Sequence, residues 1–411
     1  MLLLGREMSR RGIDCEYWFC KGSNRLAEFV ETGRATLGPL SRLAERLDRG
    51  EFDVVHMTAS DPAAELVARM ARGTARVVVT ARGALSDNWS HTNCVAYTAI
   101  SRGMAEVNQP YTDLQIEVVR NAIDVDRFSP PSAESGGPPI VAFVGRTTAP
   151  EKDFPRFTRI ARRLAAHGAR IWIADPHESK LEAFLEQGAE PLVPERWERV
   201  PFGEIPAFYR AVASSGGVVL MTSRSEGFGN VAPEAAACGA RVAAPDVIGL
   251  REAIIDGVTG MLFAAAAPDD DVAARLQEWI DGPHDMQRCS DATRAAFSSG
   301  VLADAYAEIY ARTQPRLVTA AAARREMPEL DTLRDHLRRQ HGWRASASRD
   351  GAEDLANAGF ADFSLGALSI AFRNAPRQFL TRSGSRQLLA TLRRITSRTT
   401  VRRMASRMGR Q

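Results

Sequence analysis

Two acids and two bases stand out by type and spacing. Glu226 and Glu234 are separated by seven residues in "SEGFGNVAPEAAACGA" (225–240). The first precedes Gly227, Phe228, Gly229 and Asn230, and the second falls in the first turn of an alanine-rich helical run. Carboxylates on either side of such a turn suit the hydroxyls of a polyol. Glycines admit close backbone approach, and a helix start offers unpaired N–H groups and a positive dipole end to phosphate. Upstream, "FVGRTTAPEKDF" (143–154) sets Arg146 after Gly145 and Lys152 six residues further on. A guanidinium fork and an ammonium point charge could together hold a diphosphate. Only Lys21, Lys152 and Lys180 among the 53 basic residues are lysines, which draws attention to Lys152. Plainer explanations exist for each. Glu234 also complements a helix dipole, Glu226 suits a solvated turn, and Arg146 and Lys152 suit a charged surface.

These residues need a scaffold, and the chain supplies alternating strand and helix patterns. "DVVHM" (53–57), "ARVVVT" (75–80) and "IEVV" (116–119) read as buried parallel strands, with "PAAELVARMARG" and "SRGMAEVN" as helices between them. The alternation restarts at 140 with "IVAFVG", "FPRFTRIARRLAAHG", "ARIWIA", "ESKLEAFLEQG", "IPAFYRAV", "GVVLMTS", "APEAAACG", "ARVAAP", "LREAII" and "GMLF". This predicts an α/β fold of two Rossmann-like, doubly wound domains joined by the linker "SPPSAESGGPP" (129–139). The expected domains are 1–130, 131–312 and a helical, Arg-rich extension over 313–411. Both residue clusters then fall at carboxyl ends of strands, where open α/β sheets bind ligands.

Taken together and in this order, the clusters resemble the retaining nucleotide-sugar glycosyltransferases of the GT-B fold, the glycosyltransferase family 4-like "glycosyl transferases group 1". The resemblance covers roughly 1–312. It rests on "RNAIDVDRF" (120–128), "VGRTTAPEK", "GEIPAFYRA" (203–211) and most densely "SRSEGFGNVAPEAAACGARVAAPDVIGLREAIIDGVTGMLF" (223–263), with Glu226 and Glu234 as the family's acidic pair. It implies a donor held mainly by the second domain. Arg146 and Lys152 would grip its diphosphate, and Glu226 would contact the transferred sugar. Gly145, Gly227, Phe228, Gly229 and Asn230 would line sugar and phosphate, Glu234 would bind the ribose, and the segment around Val200, Pro201 and Phe202 would face the base. It also implies transfer with retention, no metal and no cofactor beyond the nucleotide sugar itself. Arg146, Lys152 and the helix start would stabilise the departing diphosphate. No Asp-x-Asp metal motif is flanked by strand signals, and "DDD" (269–271) reads as a solvated first helical turn. No general base is named. Two other readings stay open: a noncatalytic sugar-nucleotide-binding protein and a GT-B nucleotide-sugar epimerase.

The first domain departs from the pattern. Where the family often carries a histidine before a glycine, "VVVTARGAL" has Arg82, an additional candidate for binding a hydroxyl or phosphate. His56 and His91 are read as structural. The chain opens on a helical pattern and "DCEYWFC" reads as a second strand, so the expectation is a first domain lacking its first strand, or a natural start further upstream.

Composition bounds the partners. No run approaches the ~20 apolar residues of a membrane span. The first residues lack the pattern of a signal peptide. Five cysteines (15, 20, 94, 238, 289) show neither zinc nor disulfide spacing, which suits a cytoplasmic protein. Residues 371–411 hold eleven arginines and no acid, so with an overall net charge of +3 the rest of the chain is net acidic. That tail reads as a solvated end, as an amphipathic helix on an anionic inner-membrane face, or as a docking segment. No nucleic-acid motif accompanies it.

Overall fold

A computed structural model describes residues 1–313, apart from 20–27, 30–33, 38–42, 44–45, 48, 59–74, 84–93, 113, 133–135 and 177–193. The expected helices "PAAELVARMARG" and "ESKLEAFLEQG", His91, Cys20 and the whole Arg-rich extension beyond 313 lie outside the described residues.

The second domain is a six-stranded parallel sheet. Its strands are β7 (Ile140–Val144), β8 (Arg170–Ala174), β9 (Arg196–Glu198), β10 (Val218–Leu220), β11 (Arg241–Pro245) and β12 (Met261–Phe263), in the order β12-β11-β10-β7-β8-β9. Their uninterrupted apolar runs fit strands covered on both faces. β10 and β11 are wholly buried. On one face packs α3 (Phe154–Ala166), whose Phe154, Phe157, Ile160, Ala161 and Leu164 recur at helical spacing and are all buried. On the other pack α4 (Ile205–Ser214) and α5 (Val231–Ala237), through Phe208, Tyr209, Ala232 and Ala235. The first strand, β7, lies between β8 and β10, so the order reverses there. The carboxyl ends of β7 and β10 therefore open a crevice.

The first domain holds β3 (Val54–Thr58), β4 (Arg76–Ala81), β5 (Ala96–Ala99) and β6 (Ile116–Val118) in a parallel sheet, and β1 (Glu16–Phe19) paired with β2 (Arg34–Leu37) in another. The β7–β8–β10 neighbourhood has no counterpart among the described residues. Here β1 and β3 form no ladder with each other. Strands β2, β5 and β9 are additions to the sequence reading; "AYTA" in β5 is short and small but fully buried.

Helices α1 (Leu2–Arg10), α2 (Arg102–Asn108) and α6 (Leu250–Ala253) precede three C-terminal ones: α7 (Asp269–Asp281), α8 (Met286–Phe297) and α9 (Ser299–Arg312). α9 crosses back to the first domain, where Ala303, Tyr306 and Ile309 share a core with Leu4, Met8 and Val78. A polar knot lies within this contact. His56 Nδ1 meets the Tyr310 hydroxyl at 2.7 Å and its Nε2 meets Thr80 Oγ1 at 2.6 Å. Thr80, Thr98 and the Tyr306 hydroxyl complete it. Burial pushes the His56 imidazole down to about 3. The three aspartates opening α7 are not all solvated, since Asp269 accepts from Arg156 at 3.0 Å and Arg159 at 2.6 Å. No helix among the described residues is long and apolar enough to cross a membrane.

Candidate active site at the crevice

Strand β7 ends at Gly145, and the chain turns through Arg146 to a short 3-10 turn, Pro150–Lys152, before α3. Strand β10 ends in the segment 221–230, which leads into α5. The two segments are laced together. Thr222 Oγ1 donates to the carbonyls of Lys152 (2.9 Å) and Asp153 (3.0 Å). The Arg224 N–H donates to the Glu151 carbonyl at 2.8 Å, and Arg224 Nε donates to Asp153 Oδ2 at 2.9 Å. Asp153 has φ 46°, the left-handed region that non-glycine residues rarely enter. Its backbone joins the turn to α3, and its carboxylate holds Arg224.

Inside this frame Lys152 Nζ donates to Glu226 Oε1, and Ser223 Oγ donates to the same oxygen at 2.8 Å. The Lys152 and Glu226 side chains are only 17% and 13% exposed, so the pair is shielded from bulk water. Arg146 is more open and pairs with Glu151 at 2.6 Å. Lys152 and Arg146 are thus each neutralised by a carboxylate of the chain.

Gly227 to Asn230 line the crevice by backbone. Their amides donate no hydrogen bond among the described residues. Phe228 contributes nothing else, because its ring is buried against Phe297 at 5.7 Å. Gly229 has φ 85°. A side chain there would press on Leu250 and strain a backbone conformation that favours glycine. The Asn230 side chain faces the 120–128 segment and accepts from Asn121 Nδ2 at 3.1 Å. Glu234 lies on α5 beside the wholly buried Tyr209. Burial, with the Glu234 charge adding, pushes that phenol well above its ordinary value.

The sequence candidates therefore fall in three places. Gly145, Lys152, Glu226 and the 227–230 backbone converge, with Arg146 at their rim. Glu234 stands one turn into α5. Phe202 is 43% exposed and lies under the Arg127 guanidinium at 4.1 Å, its carbonyl accepting from that side chain. Arg82 is exposed at the end of β4, and its carbonyl abuts Gly227. Sequence reasoning missed Glu151, Asp153, Ser223, Arg224, Tyr209 and Arg127. Asp153, Arg224, Tyr209 and Arg127 meet partners on another segment, and Ser223 and Glu151 meet Glu226 and Arg146 within their own loops.

The family model described as "Glycosyl transferases group 1" matches residues 138–281. A D-inositol 3-phosphate glycosyltransferase of Nocardia farcinica is 37% identical over 163 residues, 36% of this chain and 36% of that protein. An alpha-maltose-1-phosphate synthase of Mycolicibacterium smegmatis is 32% identical over 209 residues, 45% of this chain and 53% of that protein. The chain spans about a third to a half of the length of these curated relatives. Among solved structures, a glycosyltransferase from Rickettsia africae superposes with TM-score 0.61 at 15% identity, covering 75% of this chain and 92% of that one. Anabaena HepE in complex with UDP and glucose gives 0.56 at 15% identity, covering 76% and 95%. These likenesses establish the fold as GT-B.

Proposed function

Because residues 138–281 match the family model described as "Glycosyl transferases group 1", we propose that the chain moves a sugar from a nucleoside-diphosphate sugar to an acceptor. In this reading residues 1–130 form the acceptor side, 131–312 hold the donor, and 313–411 are an extension. The observation that carries it is the convergence of Lys152 and Glu226 with the unpaired amides of 227–230, where the sheet order reverses.

The chemistry follows from those groups. Breaking a glycosyl–phosphate bond builds charge on the leaving diphosphate. Lys152 and Arg146, prepositioned by the laced loops, would take up that charge, the protein cations standing in for a metal ion. The donor must first displace Glu226 from Lys152, which frees the Glu226 carboxylate for the sugar hydroxyls. Glu234 would accept from the ribose hydroxyls, with Tyr209 behind it. Phe202 and Val200 would face the base. The acceptor would attack on the face the diphosphate leaves, with retention and without an obligatory enzyme base. Relatives named for inositol 3-phosphate and maltose 1-phosphate make phosphorylated polyols the first acceptor class to offer. Residues 371–411 would rest the cytoplasmic enzyme on anionic lipid. Vesicle co-sedimentation with and without them tests that, and equal sedimentation overturns it.

The deciding experiment is release of nucleoside diphosphate from UDP-, GDP- and ADP-sugars by this chain and by a Lys152→Ala, Glu234→Ala double variant. Turnover of one donor, lost in the variant, supports the reading. Binding without turnover favours a sugar-nucleotide-binding protein.

A further inference from the structure

Ser101 ends the β5 segment and caps α2. Its side chain is wholly buried, its oxygen accepts from the Met104 N–H at 3.1 Å, and its proton goes to the Gly227 carbonyl of the other domain at 2.7 Å. One residue on, the Arg102 N–H donates to both oxygens of Glu252 in α6, at 2.7 and 2.9 Å, and the Gly103 N–H reaches Glu252 Oε1 at 3.3 Å. Gly103 lies so close to Ile248 that a side chain there would overlap it. The residues following Ile248 pack on the Glu226 carbonyl, where Gly249, at φ 84°, leaves no room for a Cβ.

We propose that Ser101 and Glu252 are positioning residues for the sugar-transfer site, latching the β5–α2 corner of the first domain onto the 226–230 loop of the second. The inference rests on the glycosyltransferase reading. The peptide Gly227–Phe228 is planar and trans, so its carbonyl and its N–H point in opposite directions. Ser101 draws the carbonyl toward the first domain, which aims the Phe228 N–H into the second. The buried Phe228 ring prevents the plane from turning back. The same hydroxyl thus fixes the direction of a ligand-facing amide and brings the first domain's wall, with the Arg82 carbonyl, against the loop. Glu252 holds the corner from its other end through two backbone amides.

Two measurements test this, one of them independent of catalysis. A Cβ on Gly103 would stand 3.2 Å from the Ile248 Cβ, near the disulfide span of about 3.5–4.5 Å. A Gly103→Cys, Ile248→Cys pair is therefore expected to cross-link under mild oxidation, read by mass spectrometry of the linked peptides. Adding Ser101→Asp or Glu252→Gln should cut the yield severalfold. Aspartate caps a helix as well as serine but brings no proton to the Gly227 carbonyl. Ser101→Thr keeps both bonds and should leave the yield unchanged. Equal yields in all backgrounds overturn the latch, whether or not the chain turns over a donor.

On the donor that the wild-type chain uses, Ser101→Asp and Glu252→Gln should lower kcat at least about tenfold with little change in donor KM, and Ser101→Thr should restore it. Unchanged kcat in the first two variants overturns the positioning role. Should Ser101→Asp fail to fold, Glu252→Gln carries the test alone. A wild-type chain that neither binds nor turns over any donor defeats the functional reading and leaves the cross-linking result standing.

Discussion

Lys152 Nζ donates to the Glu226 carboxylate across the carboxyl ends of two neighbouring strands, β7 and β10, and both side chains are largely withdrawn from solvent. Removing either partner leaves a half-buried charge without its counter-ion. Lys152→Ala and Glu226→Ala should each cost about 1–3 kcal/mol of stability. The double variant should cost less than the sum, because the residues share one interaction. Urea unfolding midpoints measure this. Each single variant should also lower donor turnover about 100-fold or more, as expected for a preorganised electrostatic contact.

In the proposed reading, Glu151 would compete with the donor diphosphate for Arg146. The pair is roughly half exposed on both sides, so it is worth at most about 1 kcal/mol. Glu151→Gln should lower the donor KM about 2–5-fold with kcat unchanged, and the advantage should shrink as salt rises. An unchanged KM at low salt would show that Arg146 does not reach the diphosphate.

Asp153 occupies a left-handed conformation at φ 46°. Substitution by alanine or by glycine loses the Arg224 pair equally, and only glycine relieves the backbone. Asp153→Gly should therefore be more stable than Asp153→Ala by about 1 kcal/mol. Equal midpoints for the two variants would mean that the turn relaxes to another conformation.

His56 gives the native state an acid sensitivity. Burial lowers its folded value to about 3, against ~6.5 when unfolded. The unfolded chain takes up a proton as pH falls below ~6.5, and the native chain does not. Stability is therefore lost between ~6.5 and ~3, by at most about 1.4 kcal/mol per pH unit. His56→Gln, which still reaches Tyr310 or Thr80, should flatten this slope. Urea midpoints at neutral pH and at about pH 5 for both proteins give the comparison; parallel slopes would sink the assignment.

Much of the fold was legible because parallel strands buried on both faces read as apolar runs. The stretches "IVAFVG", "ARIWIA" and "ARVAAP" became β7, β8 and β11. The short "AYTA" of β5 and "RATL" of β2 carry no such run, and their pairing comes from neighbours distant in the chain. Helix α9 was silent in another way. The sequence reading singled out neither its Tyr306 nor its Tyr310, yet they close the polar knot around His56 in the first domain.

Sequence by itself determined the residue types and the segments that bear them: Arg146 and Lys152 after one strand, Glu226 and the glycine turn after another, Glu234 at the start of a helix. Local spacing dictates these, since strand period, turn glycines and helix starts are properties of adjacent residues. Only tertiary structure decided the partners. Lys152 meets Glu226, Ser101 meets Gly227 and Glu252 holds the Arg102 amide because separate crossovers bring their backbones side by side. A hydrogen bond depends on distances of a few tenths of an ångström, and spacing along the chain does not encode distances between segments 50 to 150 residues apart.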